Sequence, residues 1–279
     1  MGEIINVSKI VECKKVELKE RVNLLKQKGI IPKLAVISAN HDEASKSYIR
    51  NKRKMCEELG LSQEEYVLRE DITLNEVLKL VSSLNNDKSV HAILLQLPIY
   101  PHLDENKILM EISPKKDVDG FHPLNLGKLL IGTKGILPCT PKGIITILDS
   151  LNMDYAGKVA VVVGRSKIVG KPVSQLLLNK DCTVITCHSK TNDLEQYTKI
   201  ADILVVATGI PHLITSDMVK ENSIIIDVGI NRVNGKIVGD VDTQEVLKKV
   251  KYITPVPKGV GLTTVLSLME NVVYMAESF

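Results

Sequence analysis

The sequence predicts an α/β fold with two units, each built on a mostly parallel sheet. Three patterns support this prediction. Short apolar runs alternate with amphipathic stretches over residues 34–112, an entirely apolar run precedes glycines within residues 159–172, and more apolar runs follow. Alternating strands and helices give a parallel sheet with helices on both faces, which buries the strands on both sides.

In the first half of the chain we predict one amphipathic helix followed by three strand and helix pairs. The first helix carries apolar residues at helical spacing among many charges, and Gly29 ends it. A loop is expected over 113–123. The predicted helices are 7–28, 43–59, 74–84 and 105–112, and the predicted strands are Leu34–Ser38, Tyr66–Leu68 and His91–Gln96.

In the second half, Thr140-Pro141 predicts the start of a helix over Lys142–Leu151, because threonine is a favoured N-cap and proline a favoured first helical residue. The alternation then resumes. The final helix is expected to pack on the first unit. The predicted strands are 159–163, 183–186, 203–207, 224–228 and 251–253, and the predicted helices are 173–178 and 263–277.

A phosphate-binding turn is predicted after the strand Val159–Val163. Gly164 allows a close turn, and the helix that opens near Gly170 presents free N–H groups, which attract phosphate. The usual fingerprint has three glycines, whereas this one has two with Ser166 between them. Alone, it also fits a plain strand, turn and helix.

The residues after the next strand bear on which dinucleotide binds. An acidic residue there favours NAD because it accepts hydrogen bonds from the ribose hydroxyls, and none is present. Arg165, Ser189 and Lys190 offer positive charge and a hydroxyl, which suit the 2′-phosphate of NADP. The sequence therefore favours NADP, with NAD as an alternative.

Composition excludes several classes of protein. With 279 residues and 44% apolar residues, the chain can build two cores. The net charge of +3 is dispersed, which argues against a nucleic-acid partner, and no apolar stretch is long enough to span a membrane. The five cysteines lack metal-ligand spacing, so we expect no metal and a reducing, cytoplasmic location.

Polar residues that carry chemistry appear in the first half. Tyr48 and Lys52 are four residues apart on a predicted helix and so share one face. Gln96 ends a predicted strand, where parallel sheets place ligands. The carboxylate of Asp119 can accept paired hydrogen bonds from a planar heterocycle. Each residue, taken singly, also fits an ordinary surface position.

Together these motifs resemble those of the bifunctional methylenetetrahydrofolate dehydrogenase/methenyltetrahydrofolate cyclohydrolase family, over nearly the whole chain. The motifs are Asp42-x-Ala44-Ser45-x-x-Tyr48-x-x-x-Lys52, Gln96-Leu97-Pro98, Lys116-Asp117-Val118-Asp119-Gly120, Pro138-Cys139-Thr140-Pro141, Gly164-Arg165-Ser166-x-x-Val169-Gly170-x-Pro172, Cys187-His188-Ser189-x-Thr191, Asp227-Val228-Gly229-Ile230-Asn231 and Thr254-Pro255-Val256-Pro257.

The resemblance implies oxidation of methylenetetrahydrofolate with NADP and hydrolysis of the methenyl product to 10-formyltetrahydrofolate. It implies that Lys52 is the key cyclohydrolase residue, that Tyr48 lies beside the substrate rings, that Gln96 tunes Lys52 and that Asp119 holds the pterin. Further implied folate contacts are Leu97, Pro257 and Gly259, and implied cofactor contacts are Gly164, Arg165, Ser166, Ser189, Ile230, Thr140, Thr208 and Gly209.

It also implies two α/β domains flanking a cleft, commonly in a homodimer. The folate-binding domain would be 1–139 completed by helix 262–279, and a Rossmann-like NADP-binding domain would be 140–261. Several positions depart from the family pattern: Lys258 and Leu262 in a turn that is usually rich in glycine, Tyr100 in place of proline, and Asn40 in place of glycine.

Three alternative functions also fit part of the sequence. A short-chain dehydrogenase also uses Tyr-x-x-x-Lys, but there the motif follows the dinucleotide turn, whereas Lys52 precedes Gly164 by more than a hundred residues. A shikimate-dehydrogenase-like enzyme shares the order of units, although the Gln96 and Asp119 motifs favour folate. A binding protein without turnover is suggested by Lys258 and Leu262.

Overall fold

The structure is a computed structural model that describes the backbone of residues 2–40 and 43–278 and the side chains of residues 2–40 and 49–278. Among its described helices, none has the length and apolar character needed to cross a membrane.

The chain divides into two compact units, each with its own sheet. The three-strand unit contains Cys13–Cys139 and Val265–Phe279, and the six-strand unit contains Met1–Glu12 and Thr140–Thr264. The fold class is α/β, as predicted, because helices alternate with parallel strands in both units.

The sheet of the three-strand unit is entirely parallel, with the order β3, β2, β4. Its strands are β2 (Lys33–Ser38), β3 (Ser62–Val67) and β4 (Ala92–Gln96). The helices with residues in this unit are α1 (Val7–Gln27), α2 (Glu43–Leu59), α3 (Leu74–Asn86), α4 (Glu105–Glu111), α5 (Pro123–Leu130) and α10 (Val260–Glu277).

Apolar residues at two different spacings build the core of this unit. Ile37 and Ile93 lie on neighbouring strands, and Val77 and Val81, four residues apart on α3, pack in the same buried cluster. A capping box at Thr73 starts α3: its hydroxyl accepts from the backbone N of Glu76 at 3.3 Å, and the Glu76 carboxylate accepts from the Thr73 N at 2.8 Å. β4 and α3 therefore contribute to the same buried core.

The sheet of the six-strand unit is also parallel, with the order β1, β11, β8, β7, β5, β6. Its strands are β1 (Glu3–Ile4), β5 (Val159–Val163), β6 (Thr183–Cys187), β7 (Ile203–Val206), β8 (Ile224–Asp227) and β11 (Tyr252–Ile253), and a separate hairpin pairs β9 (Asn231–Val233) with β10 (Lys236–Val238). Its remaining helices are α6 (Cys139–Asp149), α7 (Gly170–Leu178), α8 (Leu194–Thr198) and α9 (Thr243–Val246), with a short 3-10 helix at Ser216–Met218.

Several local predictions were wrong. The predicted N-cap at Thr140 is wrong because α6 already begins at Cys139, which places Thr140 in its first turn. The strand expected at 66–68 begins four residues earlier, at Ser62. Its first residues are polar and therefore lack the apolar pattern that predicts a strand. The loop expected over 113–123 ends at a helix, α5, where Pro123 opens the helix and the His122 ring accepts from the Leu124 N at 3.1 Å.

Candidate functional site

The predicted amine lies against the end of a strand in the three-strand unit. Lys52 is on α2, and its Nζ donates a 2.8 Å hydrogen bond to Oε1 of Gln96, the last residue of β4. Gln96 Nε2 donates in turn to the Leu97 carbonyl at 2.8 Å. This second bond fixes the orientation of the amide, so that its oxygen faces the lysine.

Burial lowers the pKa of Lys52, because a desolvated ammonium is less stable than one in water. The nearby carboxylate of Asp119 opposes this effect without cancelling it. Gln96 is uncharged and can accept a hydrogen bond from the amine in either protonation state. The site therefore holds an amine that gives up its proton more readily than an exposed lysine does.

Asp119 follows the segment that bridges to β4 at Ile93 and Asp117. Burial raises its pKa, and the positive charge of Lys52 and a hydrogen bond from the Cys139 thiol oppose the rise. A partly desolvated carboxyl beside an amine can accept or hold a proton, or pair with a heterocycle that offers N–H groups.

Asn271 supports the Asp119 segment from α10. Its Nδ2 donates to the carbonyls of Val118 and Leu137, both at 2.9 Å, and Asn271 is 3% exposed. Asn271 could not be predicted from the sequence, because it lies more than 150 positions from Asp119 and a single asparagine in an apolar helix forms no pattern. It fixes the backbone on both sides of the site.

The two charged residues before Asp119 have structural roles. The amino group of Lys116 donates to the carbonyls of Leu84 and Asp87, at 2.9 and 2.7 Å, and so caps the end of α3. The Asp117 carboxylate accepts from the backbone N of His122 and from the Asn125 amide, both at 2.8 Å. These contacts set the path of the loop that presents Asp119.

The other predicted folate contacts have fewer described interactions than Lys52, Gln96 and Asp119. Tyr48 lies within α2, but its side chain is outside the part that the structure describes. Leu97 accepts the Gln96 amide bond through its carbonyl. Pro257 and Gly259 belong to the six-strand unit, where Pro257 is exposed and Gly259 is buried.

In the six-strand unit, the strand order creates a ligand-binding position. The chain runs from β5 outward to β6 and then returns to β7 on the other side of β5, so the order reverses between β5 and β7. Parallel sheets bind ligands at the carboxyl ends of strands at such a reversal. Gly164 follows β5 directly, and Thr208 and Gly209 come just after β7.

The turn after β5 packs closely against neighbouring backbone, which is possible only because its glycines lack Cβ atoms. A Cβ on Gly164 would overlap the Ala207 carbonyl, and one on Gly170 would overlap the carbonyl of Gly164. Ser166 Oγ accepts from the backbone N of Val169 at 3.1 Å and of Gly170 at 3.3 Å, and so caps the start of α7. These bonds use the first N–H groups of α7 within the turn, whereas no hydrogen bond among the described residues uses the backbone N–H groups of Arg165 and Ser166, which suits a phosphate beside the turn itself.

The residues predicted to bind a 2′-phosphate are exposed near this edge. Arg165 is exposed and forms no ion pair or hydrogen bond with the described residues. Ser189 is exposed in a turn after β6, which is closed by a 2.8 Å bond from the Thr191 N to the His188 carbonyl. A cation and a hydroxyl are therefore both accessible, and they fit the phosphate that distinguishes NADP.

The other predicted cofactor residues have definite partners or exposure. Thr140 accepts a 3.1 Å hydrogen bond from the Thr264 hydroxyl. Thr208 and Gly209 donate their backbone N–H groups to Asp240, at 2.6 and 3.0 Å. Ile230 is 56% exposed and is therefore accessible to a ligand.

Comparisons with known proteins agree with this arrangement. Residues 5–119 match the family described as tetrahydrofolate dehydrogenase/cyclohydrolase, catalytic domain, and residues 138–279 match its NAD(P)-binding domain. The chain is 49% identical over 275 residues to the bifunctional protein FolD of Bacillus cytotoxicus, covering 98% of this chain and 96% of that protein.

Solved structures give the same result. The bifunctional FolD methylenetetrahydrofolate dehydrogenase/cyclohydrolase of Campylobacter jejuni is 49% identical, with a TM-score of 0.98 over 100% of this chain and 99% of that one. The dehydrogenase-cyclohydrolase of Trypanosoma brucei, complexed with NADP cofactor and an inhibitor, is 35% identical, with a TM-score of 0.94 over 99% of this chain and 98% of that one.

Proposed function

The chain belongs to the tetrahydrofolate dehydrogenase/cyclohydrolase family, and we propose that Lys52, Gln96 and Asp119 carry the cyclohydrolase half of its activity. The chain oxidises methylenetetrahydrofolate with NADP and hydrolyses the methenyl product to 10-formyltetrahydrofolate. The observation that carries the assignment of residues is the 2.8 Å hydrogen bond between Lys52 and Gln96, which holds an amine with a lowered pKa at the end of β4.

The first step demands alignment more than acid or base chemistry. The residues of this site would hold NADP, which would supply a hydride acceptor for the one-carbon bridge and leave a folate cation delocalised over two nitrogens. The glycines at Gly164 and Gly170 and the exposed Arg165 fit the phosphates of such a cofactor. We assign Ser166, Ser189, Ile230, Thr140, Thr208 and Gly209 to the same cofactor site.

Hydrolysis requires a group that moves a proton. Water adds to the methenyl carbon and loses one proton, and the bond from that carbon to one nitrogen breaks as the nitrogen is protonated. The hydroxyl group left on the carbon releases its proton to solvent as the formyl C=O forms, so the positive charge of the substrate leaves as that proton. Lys52 can take the proton from the water and return it to the nitrogen, because its pKa is lowered towards neutrality. Asp119 would hold the pterin, with Tyr48, Leu97, Pro257 and Gly259 as further folate contacts.

We further propose the organisation of the chain and its setting. The folate-binding domain is 1–139 with the helix 262–279, and the Rossmann-like domain is 140–261, except that the first residues of the chain, with β1, join the sheet of the six-strand unit. The protein forms a homodimer in the cytoplasm, a proposal supported by the sequence resemblance to the family. Light scattering of the purified protein tests the dimer, since a mass equal to one chain of 30.8 kDa would contradict it.

One assay tests the reaction and its cofactor. The enzyme is mixed with methylenetetrahydrofolate and either NADP or NAD, and the growth of reduced-cofactor absorbance is followed, with acid-stable detection of the methenyl intermediate. We expect turnover with NADP in preference to NAD. Binding of NADP without turnover would instead favour the non-catalytic binding protein suggested by Lys258 and Leu262.

A further inference from the structure

Two buried carboxylates lie behind the turn that follows β7. Asp227, the last residue of β8, is 1% exposed, and Asp240 is 0% exposed. Within the described part of the chain, neither carboxylate forms an ion pair with a lysine, arginine or histidine. A buried charge without a cation is costly, so its hydrogen bonds must stabilise it.

Asp240 accepts hydrogen bonds from both sides. Its Oδ2 accepts from the Thr208 N at 2.6 Å, the Thr208 hydroxyl at 2.9 Å and the Gly209 N at 3.0 Å. Its Oδ1 accepts from the Asn231 amide at 2.8 Å. All four contacts are donors to the carboxyl, and hydrogen bonds from donors favour the charged form of a carboxyl group.

Asp227 fixes the position of Asp240. Its Oδ1 accepts from the backbone N of Gly229 at 2.9 Å and of Asp240 at 3.0 Å, and its Oδ2 accepts from the Val241 N at 3.0 Å. A Cβ on Gly229 would overlap the Asp240 carboxylate, and a Cβ on Gly239 would overlap that of Asp227. The chain thus has glycine at both positions where a side chain would displace a carboxylate.

This network changes what the turn after β7 can bind. The N–H groups of Thr208 and Gly209 point towards Asp240 and are not directed at a ligand. A negative charge behind the turn also repels phosphate. The pyrophosphate therefore belongs on the side of Gly164 and α7, and the turn after β7 suits the nicotinamide ring, which is cationic in NADP⁺ and neutral in NADPH.

We propose that Asp240 is a positioning residue that holds the Thr208-Gly209 turn for the nicotinamide and whose charge favours the oxidised cofactor over the reduced one. This inference rests on the proposed assignment of the cofactor site. Asp227 and Asn231 support it by fixing the Asp240 backbone and one carboxylate oxygen.

The test compares NADP⁺ and NADPH binding to the wild-type protein and to Asp240→Asn by calorimetry. The variant's amide oxygen can still accept from Thr208 and Gly209. Its NH₂ group can donate to the amide oxygen of Asn231 once the Asn231 side chain rotates by about 180°. The contacts are therefore kept while the charge is lost. We expect Kd for NADP⁺ to rise about ten-fold more than Kd for NADPH, which corresponds to about 1.4 kcal/mol of lost attraction between the carboxylate and the cationic ring.

Asp217→Asn is the matched control, because it removes the same charge from an exposed position of the same unit. It should leave the ratio of the two Kd values unchanged. Equal weakening of both cofactors in Asp240→Asn, or an equal change of ratio in Asp217→Asn, would overturn the proposal. Absence of binding of either cofactor to the wild-type protein would instead refute the proposed cofactor site.

If Asp240→Asn does not fold, the ratio of the two Kd values of the wild-type protein, for NADP⁺ and for NADPH, tests the proposal. The two cofactors carry the same phosphates, so a cationic site such as that around Arg165 binds the reduced form, with its larger net negative charge, more tightly. Tighter binding of NADP⁺ by the wild-type protein would support a fixed negative charge at the nicotinamide. Tighter binding of NADPH would contradict it.

Discussion

Lys52 donates a 2.8 Å hydrogen bond to Gln96, and these two residues come from different elements, α2 and β4. The acceptor is a neutral amide, so it orients the amine without stabilising the ammonium as a carboxylate would. The lowering of the Lys52 pKa by burial therefore persists. A carboxylate at the same position would have produced a permanent ion pair and a poor proton carrier.

The first prediction is that Lys52→Met abolishes cyclohydrolase activity and leaves part of the dehydrogenase activity. Methionine preserves the length of the side chain but cannot carry a proton, whereas hydride transfer needs alignment only. Hydrolysis of methenyltetrahydrofolate and reduction of NADP are followed separately. Lys54→Met, on the exposed side of α2, should leave both activities near wild type; unchanged hydrolysis by Lys52→Met would refute the role of Lys52.

The second prediction concerns Gln96→Glu. A carboxylate within hydrogen-bonding distance favours the charged ammonium, so it raises the pKa of Lys52 against the effect of burial. The apparent pKa in the pH profile of cyclohydrolase kcat/KM should therefore move to higher pH, and the activity at neutral pH should fall. Gln96→Met removes the hydrogen bond without adding charge, so its profile should not move upward. An unmoved profile for Gln96→Glu would show that Lys52 is not the titrating group.

Lys52 and Gln96 could be predicted from the sequence because each belongs to a local pattern. Tyr48 and Lys52 have helical spacing, and Gln96 ends an apolar run, where a parallel sheet places its ligands. Asp240 and Asn271 could not be predicted, since their partners are distant in sequence and only the folded chain brings them together. The two-residue strand β1 and the hairpin of β9 and β10 were missed for a related reason, as such short segments show no periodicity.

The third prediction is that Asn271→Leu destabilises the protein by about 2–3 kcal/mol, because it leaves the buried carbonyls of Val118 and Leu137 without their amide donor. Chemical denaturation measures the loss. Asn86→Leu is the matched control, since Asn86 is exposed and its amide donates only to the Ser82 carbonyl of its own helix at 2.8 Å. That variant should change stability by less than about 0.5 kcal/mol, and an equal loss in both variants would contradict the structural role of Asn271.

The fourth prediction follows from the backbone of Lys258. This residue departs from the glycine-rich family pattern and has a φ of +70°, a left-handed conformation that costs an L-residue about 1 kcal/mol. Lys258→Gly should therefore raise stability by about 1 kcal/mol, less the extra entropy of glycine in the unfolded chain. Thermal unfolding tests this against Lys88→Gly, at an exposed residue without positive φ, which should show no gain.

The fifth prediction is a pH dependence of stability from Asp227. Burial raises the pKa of Asp227 to about 6, from an ordinary value of 3.8, although three backbone N–H groups oppose the rise. Between these two values the folded protein binds a proton that the unfolded chain does not. The stabilisation that the folded protein gains from this proton is therefore full below about pH 4. It is lost as the pH rises through about 6, which lowers the free energy of unfolding by about 3 kcal/mol.

The comparison of wild type with Asp227→Asn isolates this effect, because the other carboxylates titrate alike in both proteins. The variant is destabilised at every pH, since its amide group must face a backbone donor. The difference in free energy of unfolding between wild type and Asp227→Asn should nevertheless shrink by about 3 kcal/mol between about pH 4 and about pH 7, because only the wild type loses this proton. Asp217→Asn should show no such shrinkage, because a hydrogen bond from Thr215 lowers the pKa of Asp217. Parallel stability curves for wild type and Asp227→Asn would mean that Asp227 is ionised across this range, with no excess of protons in the folded state.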